Sequence, residues 1–213
     1  MPRKLPQFDL ALEAKARVAC KVVLTGENSA LHRVKSGLNW TPARLEYLYE
    51  FAYLRVFATW ESILENIFLR SLCGFYGSKG QEQLVCGKYY RSIIDAEKAA
   101  LSGQPFMLWH STAKVIGRLQ KHIRSGVGCP ALQETVISSN QARLDALSAI
   151  RHRVVHDQSD ASLKFKKATL MLFGKTFERP GRFLRAMDTT VSPPRPWLDS
   201  LIVEFIGLTA QMI

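Results

Sequence analysis

The sequence lacks any run of about 18 uncharged apolar residues, the length that a membrane-spanning helix needs. Its most apolar segment, WLDSLIVEFIGL near the C-terminus, is interrupted by Asp199 and Glu204. The first residues, MPRKLPQFDLALEAKARV, also lack the apolar block of a signal peptide. These two absences predict a cytoplasmic protein that has no membrane partner.

Closely spaced metal ligands are also absent. The four cysteines (Cys20, Cys73, Cys86 and Cys129) form no CxxC pair, and the sequence contains no HExxH pair. Zinc sites in proteins commonly depend on ligands at such short spacings. We therefore expect no metal site, and we expect the thiols to stay reduced in a cytoplasm.

Acidic residues are outnumbered by basic ones. The chain has 29 Lys and Arg against 18 Asp and Glu, which gives a net charge of +11 at pH 7. This excess predicts attraction to phosphate polyanions such as nucleic acids. Lys114, Arg118 and Lys121 recur at helical spacing within KVIGRLQKHIR. A solvated helix face is the simpler interpretation of these three residues, and a substrate-binding surface is the alternative.

The pattern of apolar residues is mostly that of helices. It predicts one helix over residues 8–25 and a long second helix that ends at the glycines of CGFYGSKG. The second helix should begin at Thr41-Pro42, because a capping hydroxyl is followed by proline at the first helical position. A loop containing Gly37 is expected between the two helices.

The second half of the chain predicts shorter helices. They are expected within residues 88–101, 108–124, 130–138 and 141–157 and in the C-terminal segment, with a turn at 125–130. The stretch SLKFKKATLMLFGKTFERPG fits either a helix or a hairpin, so a small hairpin or irregular segment stays open near residues 161–185. The resulting fold class is all-α, a helical bundle formed by a single domain over residues 1–213 with a decorated C-terminal part.

The helix at 141–157 places an arginine within its own apolar stripe. At about 100° per residue, Arg151 falls on the same face as Leu147 and Ile150, while His152 and His156 lie one turn apart on the adjoining flank. Burial of a guanidinium without a partner is costly, so Arg151 should contact a carboxylate, a carbonyl or a phosphate.

A purely structural interpretation accounts for the same three residues. In it, Arg151 pairs with Glu61 or Glu65 of the long helix and joins two helices together. The histidines are then solvated or bonded to neighbouring aspartates. Helix geometry alone does not distinguish this interpretation from a functional site.

The segment RHRVVH resembles the Rx4–6H motif of the HEPN superfamily. In that motif an arginine, a polar residue, variable positions and a histidine lie near the end of a helix in an α-helical bundle. The preceding long helix, FAYLRVFATWESILENIFLRSL, is similar to the aromatic and acidic helix of the family. The resemblance covers about residues 41–76 and 140–158, and it is closest to RiboL-PSP-HEPN-like and related proteins of bacterial defence and toxin systems. Asparagine is common at the second motif position, where this chain has His152.

The resemblance implies a metal-independent endoribonuclease that needs no cofactor, acting as a toxin or defence effector. His156 would serve as general acid or base, Arg151 would bind the scissile phosphate, and His152 would add a polar contact. Glu61 and Glu65 would orient Arg151, and the alternative is that they are two solvated acids on the long helix. The implied partners are RNA and an antitoxin or defence-system protein. Because family members commonly dimerise, a second copy that completes a shared site is also implied.

Two other functions remain open at this point. One is a non-catalytic HEPN-like module that binds nucleic acid or a protein partner through the same motif. The other is a helical DNA-binding regulator, which only the positive charge supports. Cleavage of RNA in EDTA with cyclic phosphate ends would separate the enzyme from both alternatives.

Overall fold

A computed structural model describes residues 3–31, 40–78, 80–124 and 132–213 of the chain. The described residues are predominantly helical, as the sequence predicted, and they fit an all-α helical bundle. In chain order their helices are α1 (Phe8–Leu31), α2 (Pro42–Leu72), α3 (Ile93–Leu101), α4 (Thr112–His122), α5 (Leu132–Ser139), α6 (Gln141–Val155), α7 (Ser159–Phe173), α8 (Pro180–Arg185) and α9 (Trp197–Gln211).

Strands are few and short. β1 (Tyr76–Gly77) pairs antiparallel with β2 (Gly80–Gln81), and β3 (Met187–Asp188) pairs antiparallel with β4 (Arg195–Pro196). An isolated parallel bridge also joins Lys4 to Tyr76. Across the described ranges, no helix combines the length and the apolar character required to cross a bilayer.

The long second helix is confirmed at its predicted start. Thr41 Oγ1 accepts a hydrogen bond from the Arg44 backbone N–H (3.3 Å), and Pro42 is the first helical residue. The first helix continues to Leu31, beyond its predicted end at residue 25. Its continuation passes through Gly26, which is buried where a Cβ atom would collide with the Leu48 side chain. The predicted loop around Gly37 and the predicted turn at 125–130 lie outside the described residues.

No hairpin forms near residues 161–185, where the sequence left a hairpin or an irregular segment open. These residues form most of α7 and all of α8, and residues 174–179 between the two helices are irregular. Ala161, Phe165 and Ala168 recur at helical spacing on the buried face of α7. Gly174, with φ of +70°, ends the helix, and its N–H donates to the Leu170 carbonyl (2.8 Å). Packing of an apolar helical face thus decided between two patterns that the sequence allowed.

The chain forms two compact units. Unit 1 consists of Met1–Asp9, Trp60–Asp145 and Gly207–Ile213, and unit 2 consists of Leu10–Thr59 and Ala146–Ile206. The motif RHRVVH lies in unit 2 and the basic helix α4 lies in unit 1. A single domain over residues 1–213 stays a prediction.

Aromatic side chains form much of each core. In unit 1, the Phe68 ring packs edge-on against Trp109 at a centroid distance of 5.6 Å. In unit 2, the buried Phe183 ring contacts four other aromatic rings, which belong to Phe165, Phe173, Phe177 and Trp197. A second cluster of unit 2 joins Tyr53, Phe57 and Phe205. In unit 2 these clusters join α2 to α9 and α7 to α8 and α9.

Candidate functional site

Helix α6 is held by its middle turn. Leu147 and Ile150 are fully buried, and the buried Tyr53 hydroxyl donates to the Leu147 carbonyl at 2.8 Å. This hydrogen bond joins α6 to the part of α2 that belongs to unit 2. The turn that carries Arg151 therefore follows directly after a fixed point.

Beyond Ile150 the side chains of α6 are more exposed to solvent. Arg151 and Val154 are half-buried, and Val155 is 48% exposed. No described residue of unit 2 forms a hydrogen bond or an ion pair with the Arg151 side chain. Its guanidinium thus keeps its donors for an external acceptor such as a phosphate oxygen.

The two histidines lie side by side at the end of the helix. Their ring centroids are 4.6 Å apart with an interplanar angle of 47°. The His156 N–H donates to the His152 carbonyl at 2.9 Å, which extends the helical bonding one residue past Val155. His152 is half-buried and His156 is exposed, so the pair can be reached from solvent.

The surroundings of His152 favour its neutral form. Burial lowers the pKa of His152 below its ordinary value of 6.5, and the positive charges of His156, Lys164 and Arg151 lower it further, while Asp160 opposes them. Asp160 itself pairs with Lys164 at 2.8 Å. A neutral imidazole has one ring nitrogen that can accept a proton, so His152 is suited to act as a base near pH 7.

Arg153 is a residue of this site that the sequence analysis missed. Its side chain is 17% exposed, and its guanidinium pairs with the Asp157 carboxylate and donates to the His156 carbonyl at 3.3 Å. These contacts fix the chain just after α6, where His156 begins to leave the helix. The four-residue spacing of Arg153 and Asp157 was a signal that could have identified the pair.

Glu61 and Glu65, the predicted orienting residues, have their contacts in unit 1. Glu61 Oε1 lies 3.5 Å from His110 Nδ1. Burial raises the pKa of Glu65 and the charge of Glu97 adds to this effect, while the charge of Arg118 opposes it. Their orienting role toward Arg151 stays a prediction.

The basic residues of α4 do not form a uniform solvated face. Lys114 is exposed, whereas Arg118 is half-buried with its guanidinium 5.1 Å from the centroid of the Trp109 ring. Lys121 Nζ donates to Ser102 Oγ at 3.1 Å. The solvated-face interpretation is therefore wrong for Arg118, and a role of all three residues in substrate binding stays a prediction.

Among the described residues, no group of three or more His, Cys, Asp or Glu side chains is placed to hold a metal ion. Cys20, Cys73 and Cys86 form no disulfide.

Comparison of the chain with family models, curated proteins and solved structures finds no match. Arg151, His152 and His156 form the arrangement that combines proton transfer groups with an available cation.

Proposed function

We propose that the chain is a HEPN-type endoribonuclease that cleaves RNA without a metal at Arg151, His152 and His156. One observation carries this proposal: two imidazoles lie 4.6 Å apart at the solvent-accessible end of α6, next to an arginine with no anionic partner in its unit. This set supplies a proton acceptor, a proton donor and a fixed positive charge. RNA cleavage by its own 2′-hydroxyl requires these three components.

Arg151 binds the non-bridging oxygens of the scissile phosphate in this proposal. Its guanidinium remains charged at every physiological pH, and its planar fork matches two phosphate oxygens. Negative charge builds on these oxygens as the phosphorus becomes five-coordinate. A cation held at a helix end stabilises that charge without a large reorganisation.

The two histidines divide the proton transfers. The charge of His156 helps to keep His152 neutral, since it lowers the pKa of His152. Neutral His152 takes the proton of the ribose 2′-hydroxyl as the 2′-oxygen forms its bond to phosphorus. The bond from phosphorus to the 5′-oxygen breaks, and protonated His156 gives its proton to that oxygen. The products carry a 2′,3′-cyclic phosphate and a 5′-hydroxyl.

We extend the proposal to a homodimer whose copies share the RNA-binding surface. Support comes from three exposed apolar side chains, Val155, Leu163 and Leu170, on the same two helices that carry the histidines and Lys164. A contiguous patch of exposed apolar side chains is typical of surfaces that a partner covers. Light scattering at micromolar concentration should give a dimer mass, and a monomer mass would contradict this part of the proposal.

A toxin or defence effector of the cytoplasm is the cellular role that we propose for such an activity. An antitoxin or defence-system protein would then cover Arg151 and His156 until cleavage is needed. Expression of the wild-type chain in bacteria should arrest growth, and His156→Ala should relieve the arrest. Equal toxicity of both proteins would show that growth arrest does not depend on this site.

The direct test is RNA cleavage by purified protein in EDTA. We expect fragments that end in 2′,3′-cyclic phosphates, and a loss of about 10²–10⁴-fold in rate for His156→Ala. Arg151→Ala should lose cleavage as well. Arg17→Ala is a matched control of the same residue type outside the site, and it should cleave like the wild type.

Other outcomes of this experiment point to other functions. Equal cleavage by the wild type, Arg151→Ala and His156→Ala would mean that the activity does not come from this site. RNA binding without cleavage would indicate the non-catalytic HEPN-like module. The net charge of +11 is compatible with such binding. Salt-sensitive binding of duplex DNA without RNA cleavage would favour a DNA-binding regulator.

A further inference from the structure

Unit 1 contains a cavity of about 570 Å³ whose lining includes Arg3, Arg70 and Arg91. Apolar surface from Phe75 and Ile94 contributes to the same cavity. Its volume falls in the range of small-molecule sites, about 300–1,000 Å³. Three guanidiniums around one cavity repel one another and attract anions, so the cavity has the character of an anion site.

Separate structural elements bring the three arginines together. Arg3 is held by strand-like pairing, since its carbonyl accepts from the Tyr76 N–H and the Leu5 N–H donates to the Tyr76 carbonyl, both at 2.9 Å. Arg70 lies in the last turn of α2, and Arg91 directly precedes Ser92, the N-cap of α3. The arrangement therefore depends on the fold of unit 1 and not on one flexible segment.

Arg70 has an unused donor. Its guanidinium lies 5.2 Å from the centroid of the Phe75 ring, which fixes its plane. Its Nε is buried and has no hydrogen-bond partner among the described residues. Buried donors without acceptors are uncommon in proteins, and Arg70 lines the cavity, so this side chain has hydrogen-bonding capacity that the described residues do not use.

The charges around the cavity favour a dianion. Among the described residues, no carboxylate pairs with Arg3, Arg70 or Arg91 within salt-bridge distance. The lining residues include three arginines and no carboxylate, and a phosphate monoester, with a charge of about −1.5 to −2 near pH 7, suits such a lining.

Helix α3 adds donors to the same cavity. Ile93 and Ile94 are its first two residues, and both line the cavity. The backbone N–H groups at these positions have no acceptor within the helix. They carry the partial positive charge of the helix start and thus reinforce the arginines.

We propose that this cavity binds the phosphate monoester of a nucleotide. The arginines hold the phosphate, and Phe75, Ile93 and Ile94 provide apolar surface for the attached base. The monoester belongs either to a free mononucleotide or to the phosphorylated end of an RNA chain. The inference does not depend on the proposed ribonuclease activity, because binding is measured in a chain that lacks His156.

The test is calorimetric binding with the full chain carrying His156→Ala, so that RNA probes stay intact. AMP should bind at least tenfold more tightly than adenosine. Arg70→Gln and Arg91→Gln should each weaken AMP binding about tenfold or more, since each removes charged hydrogen bonds to the phosphate. Arg124→Gln removes one exposed arginine of unit 1 outside the cavity lining, and it should change AMP binding less than about twofold.

Further probes distinguish the two sources of the monoester. A short RNA with a 5′-phosphate that binds more tightly than both AMP and its 5′-hydroxyl counterpart would assign the cavity to RNA ends. Tighter binding of AMP would assign it to free nucleotides. Equal affinity for AMP and adenosine would overturn the proposal, as would equal AMP binding by Arg91→Gln and Arg124→Gln. Arg91 is exposed, so its variant keeps the test valid should Arg70→Gln unfold.

Discussion

The buried hydroxyl of Tyr53 tests how the candidate site is supported. This side chain is 0% exposed, and its Oη lies 2.8 Å from the carbonyl of Leu147 in α6. Tyr53→Phe removes the donor and keeps the ring, whose centroid lies 5.9 Å from that of Phe57 and 6.4 Å from that of Phe205. We expect the free energy of unfolding to fall by about 1 kcal/mol, the net value of an ordinary hydrogen bond.

The expected loss is small because the acceptor keeps a second partner. Leu147 lies inside α6, so its carbonyl also accepts the helical hydrogen bond from the Arg151 backbone N–H. It is therefore not left unsatisfied, a state that would cost about 1–3 kcal/mol. In a chain of this size, a loss of about 1 kcal/mol corresponds to a drop of about 2–4 °C in Tm.

Thermal and urea unfolding followed by circular dichroism measure this effect. Tyr47→Phe is the matched control, because Tyr47 is 68% exposed and should change stability by less than about 0.5 kcal/mol. A Tyr53→Phe protein as stable as the control would refute the supporting role of the hydroxyl. A loss above about 3 kcal/mol would show that the ring had also moved.

Three further predictions concern the site and the core of unit 2. Because the pKa of His152 is lowered in the folded chain, protonation favours unfolding, so stability should fall as the pH drops below about 6.5. In His152→Asn, urea unfolding at pH 5 and 7.5 should show a smaller fall. Arg153→Met removes the contacts to Asp157 and the His156 carbonyl, so kcat for RNA cleavage should fall about tenfold with KM nearly unchanged, and Arg153→Lys should recover part of it. Phe183→Ala should destabilise the chain by about 3–5 kcal/mol in urea unfolding, because its fully buried ring contacts four aromatic rings.

Features encoded by neighbouring residues were predictable. The start of α2 follows from Thr41-Pro42, whereas α6 was expected to reach residue 157 and ends at Val155, within RHRVVH. Features that depend on packing were not. The helical choice for α7 required the burial of Phe165 and its neighbours, and α1 continues through Gly26, where Leu48 packs too closely for a Cβ atom.

The candidate site divides in the same way. The one-turn spacing of His152 and His156 was readable from the sequence, and the structure brings their rings together. The four-residue spacing of Arg153 and Asp157 also indicated their pairing, which the sequence prediction did not include. No sequence signal indicated that Arg3 and Arg70 line one cavity, since 67 positions separate them in the chain.

By itself the sequence determined that a cation and two imidazoles occupy consecutive turns at the end of one helix, because hydrogen bonds between residues four apart set that geometry locally. The tertiary structure alone decided that Arg151 stays half-exposed without a carboxylate in its unit and that burial shifts His152 toward its neutral form. Exposure and charge neighbourhood depend on residues from distant parts of the chain, which only folding brings into contact.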